Sequence, residues 1–179
     1  MPNKMKVFPV VALMFFLAAA CKTTNDAAAL PENTSPTVTG ASVEGGEPNN
    51  PADSLIIAFE KTACFGRCPV FKIKVYASGF AVYEGLNFSE KMGLYAARFS
   101  QEKIDRIFES AEKIEFFELA SEYENPQVTD LPSTITMLNN DGKKHRIKAR
   151  IGTPEKLQIF QENLSVTLNE MPWQPYSQR

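Results

Sequence analysis

The sequence predicts an α+β layer fold: an antiparallel sheet of about six strands with two helices packed on one face, in the order ββββαββα. Three observations predict it. Residues 70–76 alternate, with Phe71, Ile73 and Val75 on one side and Lys72 and Lys74 on the other, as in a half-buried strand. Two turn sequences, Ala77-Ser78-Gly79 and Asn139-Asn140-Asp141-Gly142, join strands as hairpins. Two later stretches carry apolar residues at helical spacing. Hairpins followed by helices favour a sheet covered on one face.

The elements follow in order. Ser54 to Thr62 contains Leu-Ile-Ile-Ala-Phe and is the first expected strand. Val70 to Tyr76 and Phe80 to Glu84 form the first hairpin, and Leu94 to Phe99 the fourth strand. Ser100 is an expected N-cap, with Glu102 in the first turn. Ile104, Ile107, Phe108, Ala111 and Ile114 mark a helix to about Glu115, after which Phe116, Phe117 and Leu119 fold back onto the core. Asn125 to Pro132 is irregular. Ser133 to Leu138 and Lys143 to Ile151 form the second hairpin. Thr153-Pro154-Glu155 opens the second helix, whose buried stripe is Leu157, Phe160, Leu164, Leu168 and Met171, and Pro172 stops it.

The flanks differ in kind from this segment. Lys4 and Lys6 precede an apolar run from Val7 to Ala20, too short for a comfortable membrane span and shaped like an export signal. Leu17-Ala18-Ala19-Ala20-Cys21 resembles a bacterial lipobox, in which the cysteine is lipidated and becomes the mature N-terminus. Here Leu17 stands four residues before Cys21, where the usual pattern has three. Ala18-x-Ala20 also suits an ordinary signal peptidase, which would leave Cys21 free. Lipidation accounts for the odd cysteine, and Lys22 rather than Asp after it leans towards the outer membrane by resemblance to bacterial sorting rules. Residues 21–53 have no aromatic residue and carry Asp26, Glu32, Glu44, Glu47 and Asp53 against Lys22. Such a segment buries too little apolar surface to fold, and as a coil it spans on the order of 30 Å. The expected organisation is a signal peptide over 1–20, a tether over 21–53, one domain over 54–171 and a tail over 172–179 holding Trp173 and Tyr176.

Charge limits the partners. The chain has a formal net charge of -2, and beyond residue 53 the 16 basic residues equal the 16 acidic ones. A neutral domain argues against nucleic acid, which demands a basic surface. The expected partners are the membrane, through the lipid anchor, and an envelope protein or glycan.

Between the first two strands lies Ala63-Cys64-Phe65-Gly66-Arg67-Cys68-Pro69. In an oxidising compartment a turn of this size brings the two sulfurs into bonding range, with Gly66 supplying backbone freedom and Pro69 preceding a strand. One reading is a structural disulfide. The other is a redox or metal-binding pair.

The run Phe59-Glu60-Lys61-Thr62-Ala63-Cys64-Phe65-Gly66-Arg67-Cys68-Pro69-Val70-Phe71 resembles the opening of a bacterial domain family of unknown function found in lipoproteins and secreted proteins. The likeness continues through Tyr76 to Gly79, Tyr83-Glu84-Gly85 and Thr129 to Pro132, and covers about Leu55 to Leu168. It implies export and a single folded unit, and carries no activity.

Other constellations are weaker. Cys64-x-x-x-Cys68-Pro69 also resembles the copper-binding segment of Sco-type chaperones, which pair such cysteines with a distant histidine. His145 is the one histidine, and two thiolates with an imidazole suit Cu(I). In those proteins a helix follows the pair, whereas a strand follows here. His145 lies on the apolar side of its strand, where a hydrogen-bonded core role is commoner. Hydrolysis lacks a positioned nucleophile. Asp130 with Tyr123 and Glu124 has no EF-hand spacing, so a loop-capping Asp is favoured over a Ca²⁺ ligand. Lys144, Arg146, Lys148 and Arg150 form a basic strand face, suited to anionic headgroups, glycans or an acidic partner, or simply to solvent. The sequence thus points to a lipid-anchored, non-enzymatic envelope domain with no cofactor, or alternatively to a thiol-redox or Cu(I)-handling protein.

Overall fold

In a computed structural model, residues 53–177 are described. The expected signal peptide, Cys21 and nearly all of the tether lie outside them. The strands are β1 (Leu55–Lys61), β2 (Val70–Tyr76), β3 (Phe80–Asn87), β4 (Gly93–Arg98), β5 (Glu122–Tyr123), β6 (Thr134–Asn140), β7 (Lys143–Ala149) and β8 (Gln174–Pro175). The helices are α1 (Gln101–Lys113) and α2 (Glu155–Asn169), with a short 3-10 turn at Phe116–Glu118.

The α+β prediction holds, but the sheet has eight strands in the order β5-β7-β6-β1-β2-β3-β4-β8. The two missed strands are the edges. β5 pairs parallel with β7, so the sheet is not purely antiparallel, and β8 pairs with β4. Two-residue strands are too short for any periodicity to show. Their effect is to cap long edges, which otherwise offer unpaired backbone groups to other chains.

Alternation decides which face is covered. Ile57 and Phe59 of β1, Phe71, Ile73 and Val75 of β2, and Ala81 and Tyr83 of β3 are buried in the core that α1 and α2 also enter. The helices contribute Ile104, Ile107 and Ala111 from α1, and Leu157, Phe160, Leu164 and Leu168 from α2. A smaller cluster of Phe80, Val82 and Ala96 is joined by Tyr76, Leu94 and Tyr176.

Local chemistry sets the element ends. Ser100 accepts from the Lys103 amide at 3.4 Å, the predicted N-cap, worth about 1 kcal/mol. Glu115 takes a left-handed conformation after α1 and turns the chain so that Phe116 is fully buried. Phe116 packs on Phe117, His145 and Phe160 with ring centroids within 5.7 Å. Pro154 takes the N-cap position of α2, one residue earlier than expected.

Residues flanking the expected domain contact the fold at both ends. Asp53, assigned to the tether, accepts from the Ser78 amide at 2.9 Å and so ties into the first hairpin turn. Trp173, assigned to the tail, is buried and donates from its indole to the Leu168 carbonyl at 3.0 Å. Its ring lies 5.6 Å from that of Tyr83.

Gly85 positions the loop between β3 and β4. A Cβ there would collide with the carbonyl of Lys91, which folds back over the strand. Gly85→Ala is therefore expected to cost about 1–3 kcal/mol, as overpacking does. Chemical denaturation checks it, and a loss below about 0.5 kcal/mol would show that the loop yields freely.

Candidate functional site

Cys64 and Cys68 are joined by a disulfide, with Cα atoms 5.8 Å apart. The Gly66 amide donates to the Cys64 carbonyl at 2.9 Å and closes the turn. Gly66 does not have a positive φ, and a Cβ there would meet only Cys64 Sγ, at 3.7 Å. The expected need for glycine freedom is thus not what shapes this turn.

The loop is held to the segment before β6. The Phe65 amide donates to the Asp130 carbonyl and the Thr62 amide to the Ser133 carbonyl, each at 3.0 Å. The Ser133 amide returns a bond to Thr62 Oγ1 at 2.8 Å. The ring of Phe65 nevertheless stands 94% exposed. Beside it the Arg67 guanidinium lies 5.3 Å from the centroid of Phe88, which is also exposed and has a positive φ of 53°.

Behind the loop opens a crevice of about 500 Å³. Lys61, Phe71 and Tyr83 reach it from three adjacent strands, with Cys68 and Pro69 on one side and Ser165, Val166 and Asn169 of α2 on another. Phe71 and Tyr83 stack at 5.5 Å and 16°. Lys61 donates to Thr134 Oγ1 at 2.7 Å. Burial lowers the pKa of this amine, and Glu162 opposes the shift. Burial likewise raises the Tyr83 hydroxyl, against a hydrogen bond to Ser89. A crevice that combines the Phe71 and Tyr83 rings with polar groups such as Lys61, Ser89, Glu90 and Lys91 can hold a side chain or small ligand and fix its orientation.

The sequence profile described as Domain of unknown function (DUF6438) matches residues 55–167. The chain belongs to this family. No curated protein and no solved structure matches it. The DUF6438 segment contains the disulfide loop, β1 to β7, α1 and most of α2, while Trp173 and β8 follow it.

The other predicted residues are distributed around this domain. His145 is not brought to the cysteine pair. It lies opposite Leu138, which pairs with Ile57, whereas the cysteine loop leaves the Lys61 end of β1, opposite Thr134. Four residues along a strand separate those rows by about 13 Å. Its Nε2 donates to the Leu119 carbonyl at 2.9 Å, and its ring stands edge-on to Phe116.

The predicted basic face divides in two. Lys148 and Arg150 are drawn to Glu124, at 2.8 and 3.8 Å. Arg150 also donates to Ser133 Oγ at 3.1 Å and to the Val128 carbonyl at 3.0 Å. The hydrogen bond from Lys148 holds the Glu124 carboxyl below its usual range. These two cations therefore tie Glu124, Val128 and Ser133 to β7 and its end, leaving Lys144 and Arg146 exposed on β7. Among the described residues, no group of three or more His, Cys, Asp or Glu side chains forms a metal-binding set. Asp130 serves the loop through its carbonyl.

Sequence reading missed Phe65 and Phe88 as surface features. An aromatic residue ordinarily signals core, and only the covalent closure at 64 and 68 suggests that Phe65 is held outward.

Removing the crosslink tests its role. The double variant Cys64→Ser, Cys68→Ser is expected to lose about 1–3 kcal/mol and keep its fold, since the closed loop is short. Denaturant titration with circular dichroism measures this, and an unfolded double variant would show the loop to be essential to the core.

Proposed function

We propose that this DUF6438 protein is an exported, lipid-anchored component of the bacterial cell envelope, held at the outer membrane through Cys21. Its folded domain serves as a non-enzymatic interaction module. Residues 22–52 act as a tether between anchor and domain. The binding surface is the disulfide end of the sheet, centred on Phe65.

One observation carries this reading. Phe65 is exposed on a loop that a covalent bond and backbone hydrogen bonds to the 130–133 segment hold in place. Exposing an aromatic ring to water is unfavourable, and a partner that covers it recovers that hydrophobic energy. Holding the loop backbone in place beforehand reduces the entropy lost on association. Aromatic anchors of this kind dominate binding energy at protein interfaces. Export is supported by the apolar run before Cys21 and by the presence of a disulfide, which persists in oxidising compartments.

The competing reading is thiol exchange or Cu(I) handling at Cys64 and Cys68. It has less support, because His145 bonds to Leu119 and Arg67 rests on Phe88.

Phe65→Ser tests the interaction reading. Wild-type protein in detergent-solubilised envelope is expected to migrate on a native gel above its monomer mass. The variant is expected at the monomer position with an unchanged melting temperature, since its side chain is not packed. A wild-type protein that runs as a monomer, or a variant that keeps the larger species, contradicts the proposal.

A further inference from the structure

A second surface lies on the helices, away from the residues used above. α1 and α2 run antiparallel: Lys156 near the start of α2 meets Glu115 just past α1 at 3.1 Å, while Lys103 near the start of α1 reaches Met171 beyond α2 at 3.5 Å. Between them is a groove of about 470 Å³. Ile107, Ile114, Ile159, Phe160 and Leu164 supply its apolar lining, and Ile159 is half exposed. Lys103, Arg106, Lys113 and Lys156 line it as well, against one acid, Glu170.

We infer that this groove is a docking site for an acidic amphipathic helix of a partner protein, which lies between α1 and α2 as a third helix. Two features select this occupant. First, the lining residues recur at helical intervals on both walls, at 103, 106, 107, 110, 113 and 114 on α1 and at 156, 159, 160, 163, 164 and 167 on α2. A helix with apolar anchors three and four residues apart presents the matching stripe. Second, the cations are spread along the groove. Lys103 and Lys113 are ten residues apart, or about 15 Å along the axis of α1. A single-chain fatty acid has one anionic head and would use cations at one end only. Charge distributed along the length requires a ligand with acids along its length. The ion pairs from Arg106 to Glu102 and from Lys156 to Glu115 are exposed, and such pairs are weak enough for incoming carboxylates to replace.

The test uses the chain from residue 21 onward, which keeps every described residue. The probe is a fluorescein-labelled helical peptide of about 14 residues, with Leu at three- and four-residue spacing and Glu on the flanks. Fluorescence anisotropy is expected to show saturable binding that weakens about tenfold or more in Ile159→Glu and in the double variant Lys113→Glu, Lys156→Glu. Raising salt to about 0.5 M is expected to weaken it too. Lys74→Glu, an exposed cation on β2 outside this groove, is expected to leave binding unchanged. The melting temperature of each variant confirms folding. The inference is overturned by no saturable binding up to about 1 mM. It is equally overturned by a scrambled peptide that binds as well, by binding insensitive to both groove variants, or by laurate binding where the peptide does not.

Discussion

Trp173→Ala is expected to lower the stability of the domain by about 3–5 kcal/mol, the range for removing a large buried aromatic side chain. Trp173 follows Pro172 and lies beyond the family match, where a dispensable tail would be expected. Its indole nevertheless donates to the Leu168 carbonyl and its ring packs on Tyr83. Tyr83 stacks in turn on Phe71, at the crevice beside the disulfide loop. The variant therefore opens a cavity under the proposed binding end as well as releasing β8. Thermal unfolding followed by circular dichroism is expected to show a drop of more than about 10 °C. A change of only a degree or two would mean that the segment after α2 packs without contributing to the core.

Cys21→Ser is expected to release the protein from the membrane completely. No other cysteine follows the apolar run closely, since Cys64 and Cys68 are consumed by their crosslink. Fractionation of the envelope, with and without high salt, measures the effect. A variant that still sediments with membrane and needs detergent for extraction contradicts the lipid anchor.

Much of the core was legible because its elements are long enough for a period to show. Phe71, Ile73 and Val75 alternate over a full strand, and the stripe from Leu157 to Leu168 runs along about three turns of α2. All of these residues are buried as expected. The edges were not legible. Glu122–Tyr123 and Gln174–Pro175 are defined by backbone pairing to strands already in place, and two residues contain no pattern. The basic face illustrates a second limit. Alternation places Lys144, Arg146, Lys148 and Arg150 on one side, but it does not say which of them meets an acid from another segment. Glu124, more than twenty residues earlier, takes Lys148 and Arg150 and leaves the other two exposed. The candidate site was visible as a cysteine pair and invisible as a surface, because no local signal marks Phe65 as exposed or Phe88 as its neighbour across Arg67.

The central claim is that the disulfide loop presents a surface and performs no chemistry. The reduction potential of Cys64 and Cys68, equilibrated against glutathione and read by alkylation and mass spectrometry, tests it most directly. A structural crosslink predicts a value below about -300 mV, so that the pair stays oxidised against the glutathione pool. A value between about -270 and -120 mV, the range of the thiol–disulfide oxidoreductases, or stoichiometric Cu(I) on the reduced protein, would contradict it.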